Sequence, residues 1–459
     1  MPEQVQYETF EVDSSAGPLM AAAGLVRSGA FDRYMLYEND GRFTVAGGVA
    51  AELVADRSGV TLRRAGTTRT EPWSGDGLRT VERLLGGLPV AGWRAYGWAA
   101  FELAYLLAGD PVAAGPGTLL HLVVPQAEVT FGPHGVAGRV LVGSGLDDLP
   151  AWLGTVPAVD AEDMAARVRP VDIADEPDHY RGAVAAAVRD IRNRKLQKVI
   201  LSRVVPVDHR VDLLGTYVLG RLRNNPARSF LFDLGDLRAG GFSPEIVLAV
   251  SPSGEVHTQP LAGTRAATGE PDVDKRLGSD LLRDPKEIYE HATSVKAAVD
   301  ELGALCRPGS VAVQDFMAIK HRGSVQHLGS MVGGSLAPGR TSWDALATVF
   351  PSITASGIPK AGAYEAIRRY EVQPRGLYAG AVLTAGADGS MDAALVLRSI
   401  YQRGGDTWLR AGAGIVEQSS PVREYEETCE KLRSVSEHVV CAEGAALVES
   451  GAVAAGSTE

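Results

Sequence analysis

The chain has 459 residues, of which 45% are hydrophobic and 22% charged, and its formal net charge at pH 7 is -11. This length and this apolar fraction can supply a large buried core. An acidic chain is not expected to bind nucleic acid, whose phosphates need a basic surface. An anionic substrate would have to meet a local cluster of positive charge, because the overall field opposes it.

The cysteines and the hydropathy of the sequence indicate a cellular compartment. Cys306, Cys429 and Cys441 are too few and too scattered for a disulfide framework or a zinc site, and they suit a reducing environment. No run of about 20 apolar residues is present, and the first residues lack the basic and apolar segments of a secretory signal. We therefore expect a cytoplasmic protein that has no membrane partner.

The first third of the sequence is predicted to be rich in β-strands. Segments 34–38 and 43–49 flank Asn39-Asp40-Gly41, which is a turn signal of hairpins. An apolar run rich in aromatic residues predicts another strand over 93–103, and a helix is predicted over 77–85.

A polar stretch over 143–177, interrupted by several prolines, is the best candidate for a connection between two parts of the chain. It separates a β-rich N-terminal part, 1–165, from a C-terminal part, 177–440. We expect both parts to belong to one large domain, 1–441, and the small polar residues 442–459 to form a flexible tail.

In the second part, predicted helices and strands alternate. Helices are predicted over 179–194, 213–224, 285–305 and 421–438, with Ser419 or Ser420 as the cap of the last one. Strands are predicted over 198–207, 230–234, 325–333, 378–385, 391–400 and 408–413, with a hairpin turn at Ser253-Gly254.

Two of these helices carry carboxylates on one face. Glu287 and Glu290 are three residues apart, and so are Glu424 and Glu427, with Lys431 following on the same stripe. Two such pairs could hold a hard cation such as Mg²⁺, which prefers oxygen ligands and keeps waters that a substrate can displace. The same spacing also fits solvated helix faces with ordinary salt bridges.

Glycine-rich segments occur at two places, Pro260 to Arg265 in a predicted loop after a strand and Arg410 to Gly414 just before the last helix. Glycines let backbone N–H groups approach an anion closely, although a tight turn needs the same residues. No dinucleotide or P-loop fingerprint is present, so nucleotides are not favoured as ligands.

Four further polar residues stand beside or within apolar strands. A desolvated Lys198 could act as a base, Glu245 as a buried general acid, and Arg398 could grip a carboxylate through two hydrogen bonds. His327 could be catalytic, although a lone histidine in an apolar strand is more often structural. Each of the other three also fits a plain strand-edge or loop residue.

Taken together, these segments resemble the chorismate-utilising family, which includes anthranilate, aminodeoxychorismate, isochorismate and salicylate synthases. The N-terminal third is similar to salicylate synthases in particular, through 34–38 and 97–102. The family blocks, which span 177–438, are 198–203, 242–245, 260–265, 286–291, 323–329, 351–360, 375–380, 410–414 and 424–431.

The resemblance implies a fold and a set of roles. The fold is α/β of the α+β type, with two large, mostly antiparallel sheets packed as a sandwich and surrounded by helices. The implied catalytic residues are Lys198, which activates water, Glu245, which assists loss of a hydroxyl, and His327. The implied metal ligands for Mg²⁺ are Glu290, Glu424 and Glu427, supported by Glu287. The implied substrate contacts are Gly263, Thr264, Thr354, Tyr378, Arg398, Gly412, Gly414 and Lys431.

The resemblance also implies a reaction. Water would add at C2 of chorismate with loss of the C4 hydroxyl, and the isochorismate formed would lose pyruvate to give salicylate for a siderophore or an antibiotic. Release of isochorismate and an amine-forming reaction are the alternatives. The synthase pattern occupies the whole chain, so we expect no glutaminase partner, and the resemblance favours a monomer.

Overall fold

The computed structural model of the chain describes residues 4–13, 16–174, 177–323 and 325–443. They form two large β-sheets with helices around them, as the family resemblance implies. Among the helices that the structure describes, none is long and apolar enough to cross a bilayer.

The first sheet has 11 strands, in the order β1-β10-β9-β3-β2-β12-β13-β22-β23-β11-β19. Its strands are β1 Tyr7–Val12, β2 Tyr34–Asn39, β3 Arg42–Gly47, β9 Ala127–Gly132, β10 Gly135–Leu141, β11 Lys198–Pro206, β12 Arg228–Asp233, β13 Arg238–Ser243, β19 Gly357–Ile358, β22 Ser399–Arg403 and β23 Asp406–Ile415. Neighbouring strands are antiparallel.

The second sheet has 12 strands, in the order β16-β18-β15-β14-β21-β20-β7-β8-β4-β5-β6, with β17 paired to β18 outside this path. Its strands are β4 Ala51–Ala55, β5 Gly59–Arg64, β6 Thr67–Pro72, β7 Arg94–Ala99, β8 Leu120–Val124, β14 Ile246–Val250, β15 Glu255–Thr258, β16 Leu261–Ala266, β17 Ala312–Arg322, β18 Val325–Ser335, β20 Ala381–Gly386 and β21 Met391–Leu395. These pairs are antiparallel as well.

The helices lie mainly in the C-terminal part. They are α1 Pro18–Arg27, α2 Arg79–Gly86, α3 Leu103–Leu107, α4 Leu149–Leu153, α5 Ala161–Ala165, α6 Pro177–Arg192, α7 Leu213–Arg223, α8 Pro271–Leu281, α9 Pro285–Gly303, α10 Ser342–Val349, α11 Lys360–Tyr370 and α12 Pro421–Ser436. A short 3-10 turn covers Ile353–Ala355.

The first sheet is apolar on both faces because successive side chains point to opposite sides of a strand. Phe230 and Phe232 of β12 belong to the core that this sheet shares with the second sheet. Leu231, between them, belongs to a separate core against α1, α7 and α12. Helix α12 packs against β23, so the acidic face of α12 lies beside the glycine-rich segment of β23.

Strands of the N-terminal and C-terminal parts are neighbours in both sheets. β2 pairs with β12 in the first sheet, and β7 pairs with β20 in the second. Within the proline-punctuated stretch between the two parts lie the short helices α4 and α5.

The structure corrects two predicted strands. The run 391–400 is not one strand, because Arg398 has a φ of 51° and turns the chain from β21 in the second sheet to β22 in the first. Tyr378 is not the start of a strand: it lies in a turn, followed by Ala379 with a φ of 60°, and β20 begins only at Ala381. Neither left-handed position is a glycine, so neither turn is marked by its own residue type.

The sequence also predicts a serine cap for the last helix and a tail after it. Ser420 stands at the N-cap position of α12 but makes no side-chain capping hydrogen bond. Of the predicted tail, 442–459, residues 444–459 lie outside the described residues.

Candidate active site

One cavity, with about 860 Å³ of space between its lining atoms and partly open to solvent, collects the polar residues that the sequence singled out. All of the sequence-predicted site residues line it except Lys198 and Glu424, which lie directly behind its wall.

The cavity lies where the two sheets and two helices meet. Strands β16 and β18 of the second sheet supply Gly263, Thr264 and His327, and β23 of the first sheet supplies Gly412 and Gly414. Helices α9 and α12 supply the carboxylates, and connecting segments supply Glu245, Thr354, Tyr378 and Arg398. The left-handed turn at Arg398 is what brings its side chain to the junction of the sheets.

Lys198 is buried, with 2% of its side chain exposed, at the start of β11. Its Nζ lies 3.0 Å from Glu290 Oε1 and donates to Ser294 Oγ at 3.3 Å. Both partners are on α9, where they lie about one turn apart on the same face. A lysine amine held beside a cavity in this way can act as a base that takes a proton from a water there.

Glu245 is a buried carboxyl group that holds its proton unusually well. Burial raises its pKa to about 7, against the opposing effect of three hydrogen-bond donors. Oε1 accepts from the hydroxyls of Ser352, at 2.8 Å, and Thr354, and Oε2 accepts from the N–H of Leu261 at 3.2 Å. A carboxyl group with such a pKa can act as a general acid near neutral pH.

His327 and Arg398 form a fixed pair. The Nδ1–H of His327 donates to the carbonyl of Gly263 at 3.2 Å, so Nε2 is free to accept from Arg398 Nη2 at 2.6 Å. Burial and the charges of Arg398 and Lys431 lower the pKa of His327 well below its usual range. His327 is therefore neutral and serves to hold Arg398.

Arg398 is a buried cation without a counter-charge. Its Nη1 donates to the carbonyl of Arg322 at 2.8 Å, and in the described part of the chain it meets no carboxylate. Burial, and then the charge of Arg322, lower its pKa to about 9. A buried guanidinium with neutral partners is costly unless an anion binds there.

Tyr378 and Lys431 both approach Gly412 of β23. The guanidinium carbon of Arg410 lies 5.4 Å from the Tyr378 ring, and the Nζ of Lys431 donates to the carbonyl of Gly412 at 2.9 Å. A Cβ at Gly412 would stand 2.8 Å from the Tyr378 hydroxyl, so only glycine leaves this corner open. These groups provide a second set of donors for an anionic ligand.

Four carboxylates of α9 and α12 form the acidic side of the site. Burial raises the pKa of Glu287, and the charges of Glu290 and Glu427 add to this. Burial and the charge of Glu427 likewise raise the pKa of Glu424 to about 7. Lys431 outweighs the effect of burial at Glu427 and holds its pKa below the usual value.

The oxygen atoms of these carboxylates suit a divalent cation, although their side chains are not arranged around a common point. Within the described ranges, no group of three or more His, Cys, Asp or Glu side chains could hold a metal ion as they stand. Lysines pair with three of the carboxylates: Lys198 with Glu290, Lys286 with Glu424 and Lys431 with Glu427.

Two observations nevertheless favour a cation there. Glu424 Oε2 is buried and has no hydrogen-bond partner in the part of the chain that the structure describes. Burial, and then the charges of neighbouring glutamates, raise the pKa values of Glu287 and Glu424, and a cation would relieve the repulsion between these carboxylates. Mg²⁺ commonly binds through one or two carboxylates, with waters and substrate oxygens completing its shell.

Sequence reasoning missed several residues of the site. Lys286 neutralises Glu424, and a lysine next to a predicted acidic stripe was the available signal. Arg410 lines the cavity, held by Glu371 at 2.6 Å, and Ser352 contacts Glu245. Their contacts with the site are made to residues far along the chain, Arg410 for Glu371 and Glu245 for Ser352.

A family model for chorismate binding enzymes matches residues 32–437. The chain therefore belongs to the family of chorismate binding enzymes, and the fold and the cavity described above are those of a chorismate-utilising enzyme.

Similar proteins refine this class. A salicylate synthase of Mycolicibacterium paratuberculosis (strain ATCC BAA-968 / K-10) is 43% identical over 413 residues, which is 90% of this chain and 90% of that protein. Anthranilate synthase component 1 of Thermus thermophilus is 38% identical and aligns over 71% of this chain and 68% of its own length.

Solved structures agree on the fold. Anthranilate synthase component I from Streptococcus pneumoniae TIGR4 superposes with a TM-score of 0.71 at 26% identity, covering 86% of this chain and 92% of that one. The menaquinone-specific isochorismate synthase from Escherichia coli superposes with a TM-score of 0.73 at 20% identity, covering 95% of both chains.

Proposed function

We propose that this protein is a Mg²⁺-dependent salicylate synthase that converts chorismate to isochorismate and then to salicylate and pyruvate. The observation that carries the proposal is the buried guanidinium of Arg398, which meets no carboxylate among the described residues. Arg398 lines the same cavity as the general acid Glu245, and Lys198 contacts Glu290 of that cavity. Chorismate carries two carboxylates, and the cavity offers a separate place for each.

The two carboxylates of the substrate are recognised at opposite ends of the cavity. Arg398 and Tyr378 hold the pyruvyl carboxylate, which supplies the missing counter-charge of Arg398. The ring carboxylate lies towards α9 and α12, near Lys431 and the backbone of Gly263 and Thr264. Because a positive charge stands at each end, binding succeeds in a protein whose net charge is -11.

Glu290, Glu424 and Glu427 would hold Mg²⁺, directly or through water, with Glu287 in support. When bound, the cation would offset the charge of these carboxylates and attract the ring carboxylate. Glu287 and Glu424 are buried in α9 and α12, which fixes their positions.

In the first step, Lys198 is the base that takes a proton from the water that attacks C2. The ring double bonds shift, the bond from C4 to its hydroxyl breaks, and Glu245 gives its proton to the departing oxygen, which leaves as water. One water is consumed and one is formed, so the product is an isomer of chorismate. The pKa of Glu245, about 7, keeps this proton available at neutral pH.

In the second step, the hydrogen on C2 passes to the methylene carbon of the pyruvyl side chain while the bond from C3 to oxygen breaks. This releases pyruvate and leaves an aromatic ring. The step needs the side chain held over the ring and no added acid or base. The grip of Arg398 and Tyr378 on the pyruvyl end provides that orientation.

Two related reactions are the alternatives, namely release of isochorismate and formation of an amine. Full-length similarity to a salicylate synthase favours elimination, since that relative aligns over 90% of both chains. Lys198 beside the cavity favours water as the nucleophile. We expect the enzyme to act in the cytoplasm as a monomer and without a glutaminase subunit.

The deciding experiment incubates the purified protein with chorismate and Mg²⁺ near neutral pH and follows isochorismate, salicylate and pyruvate by chromatography. We expect salicylate and pyruvate in equal amounts, and none when the metal is chelated. Accumulation of isochorismate alone would refute the elimination step. Equal turnover with and without chelator would refute the role of the metal.

A further inference from the structure

Ser352 makes a contact that its position in the chain does not predict. It stands at the N-cap of the 3-10 turn Ile353–Ala355, where a serine hydroxyl ordinarily accepts from a backbone N–H of the turn. Its hydroxyl makes no capping bond and donates instead to Glu245 Oε1 at 2.8 Å, across 107 residues of sequence.

Ser352 acts on Glu245 together with Thr354. Both hydroxyls donate to the same oxygen, Oε1, and their own oxygens are 2.6 Å apart. Three oxygens therefore lie within hydrogen-bonding distance of one another. Because each hydroxyl has only one hydrogen, two of the three contacts can be filled when the carboxyl group is ionised.

This arrangement suits both protonation states of Glu245. When the group is ionised, both hydroxyls donate to Oε1 and the N–H of Leu261 donates to Oε2. When it is protonated, one hydroxyl can turn to the other, since their oxygens are already at hydrogen-bonding distance. No heavy atom has to move between the two states.

We propose that Ser352 is a positioning residue, whose hydroxyl and that of Thr354 form a switchable pair that holds Glu245 in place before and after it gives up its proton. This inference rests on the proposed function, in which Glu245 is the acid of the first step. When the proton leaves with the C4 oxygen as water, the two hydroxyls turn to the carboxylate and stabilise it.

Ser352 works through Glu245 and not through the substrate. Thr354 lines the cavity, whereas Ser352 does not. The carbonyl of Ser352 is fixed separately, because it accepts from Ser356 Oγ at 2.8 Å and from the N–H of Ala355. Loss of the Ser352 hydroxyl therefore leaves the turn intact. The charged group that lowers the pKa of Glu245 is Lys198, at the start of β11.

The test follows the protonation of Glu245 directly. Infrared spectra recorded over a pH series contain the C=O band of each protonated carboxyl group, and the band lost in Glu245→Gln belongs to Glu245. We expect it to titrate near pH 7 in the wild type and about one pH unit higher in Ser352→Ala, because a donor to the ionised form is lost. Ser352→Thr should restore the wild-type midpoint.

Ser356→Ala is the control for loosening of the turn, because its hydroxyl donates to the Ser352 carbonyl and does not contact Glu245. It should keep the wild-type midpoint. A wild-type midpoint in Ser352→Ala would overturn the inference. Should that variant fail to fold, Ser352→Cys keeps the size and weakens the donor. An unchanged midpoint in Ser352→Cys would equally overturn it.

Kinetics separate positioning from substrate binding. In Ser352→Ala, kcat for consumption of chorismate should fall about tenfold while KM changes less than about twofold. A raised KM with an unchanged kcat would mean that Ser352 contacts the substrate, which overturns the inference. If the wild type does not consume chorismate, the proposed function fails, and the infrared titration still decides whether the hydroxyl pair holds Glu245.

Discussion

At the scale of single residues, the site is explained by which charges are paired and which are not. Lys198, Lys286 and Lys431 each have a carboxylate partner, and Arg410 is held by Glu371. Arg398 differs, since its described partners are a carbonyl and a neutral imidazole. Arg398 is therefore the cation of the cavity that most lacks an anionic partner, which a substrate carboxylate would supply.

Replacing Arg398 by alanine should weaken binding of chorismate more than it slows the reaction. We expect KM to rise about 10- to 100-fold, because a charge-assisted hydrogen bond to the substrate is lost. Steady-state kinetics with chorismate measure the change. Arg403→Ala, which removes a half-exposed arginine of β22, is the control. A KM within twofold of the wild type would exclude Arg398 from substrate binding.

Replacing Lys198 by alanine should separate the two steps. Addition of water to chorismate should fall by at least about 100-fold, because the base is lost, whereas elimination from supplied isochorismate should keep much of its rate. Product analysis with each substrate measures this. Lys195→Ala removes an exposed lysine just before the same strand as a control. Equal losses in both steps would mean that Lys198 does not activate water.

The resemblance to the family predicted many of the residues that line the cavity, because the family blocks contain them. It could not predict the state of each group. That His327 is neutral follows from burial and from Arg398 and Lys431, whose proximity only the fold creates. Ser352 was missed for the same reason, since its partner Glu245 is distant in sequence.

At the scale of elements, α9 and α12 present their carboxylates to each other. Both helices begin with a proline in the first turn and have a glutamate there, Glu287 and Glu424, which the helix dipole favours. The same glutamates are buried and repel their neighbours. The buried carboxylates on this side of the site therefore cost folding stability, which the proposed cation would offset.

This cost should appear as a dependence of stability on pH. The pKa of Glu424 is raised to about 7 from 4.5, so the folded state keeps a proton that the unfolded chain has lost. Its contribution therefore lowers the free energy of unfolding as pH rises from about 4.5 to about 7, on the order of 2–3 kcal/mol. In Glu424→Gln this decline should be smaller, and Mg²⁺ should reduce it in the wild type.

Urea unfolding at several pH values, with chelator or with Mg²⁺, measures this effect. Glu426→Gln changes an exposed glutamate of the same helix and should follow the wild type at every pH. Equal declines in Glu424→Gln and the wild type would show that Glu424 is ionised without cost in the folded protein.

The elements also show where sequence patterns fail. Helices α7, α9 and α12 begin within a residue of their predicted starts, because a cap or a first-turn proline marks each one. The sequence predicts one strand over 391–400 because the segment is mostly apolar and contains no glycine or asparagine at the turn. Arg398 adopts a left-handed conformation there, which its contacts with His327 and Arg322 hold in place.

At the scale of the whole molecule, the two sheets join parts of the chain that are far apart in sequence. The order of strands could not be predicted from local patterns, since the pairs β2–β12 and β7–β20 connect segments about 190 and 280 residues apart. The resemblance supplied the architecture, and hydrophobic alternation along strands was only compatible with it. This topology has a direct consequence for the autonomy of the C-terminal part.

Every candidate site residue lies after residue 197, yet a chain comprising only residues 166–459 should be inactive. Without β2 and β7, the strands β12 and β20 would expose unpaired backbone edges in the middle of both sheets, and Phe230 and Val382 would lose much of their core. We expect this fragment to lack a cooperative unfolding transition, and activity to return when residues 1–165 are co-expressed as a separate chain. Circular dichroism and turnover of chorismate measure both effects. A fragment that folds cooperatively and binds chorismate alone would show that the N-terminal strands are an accessory layer, and the site would then depend on the C-terminal strands and helices by themselves.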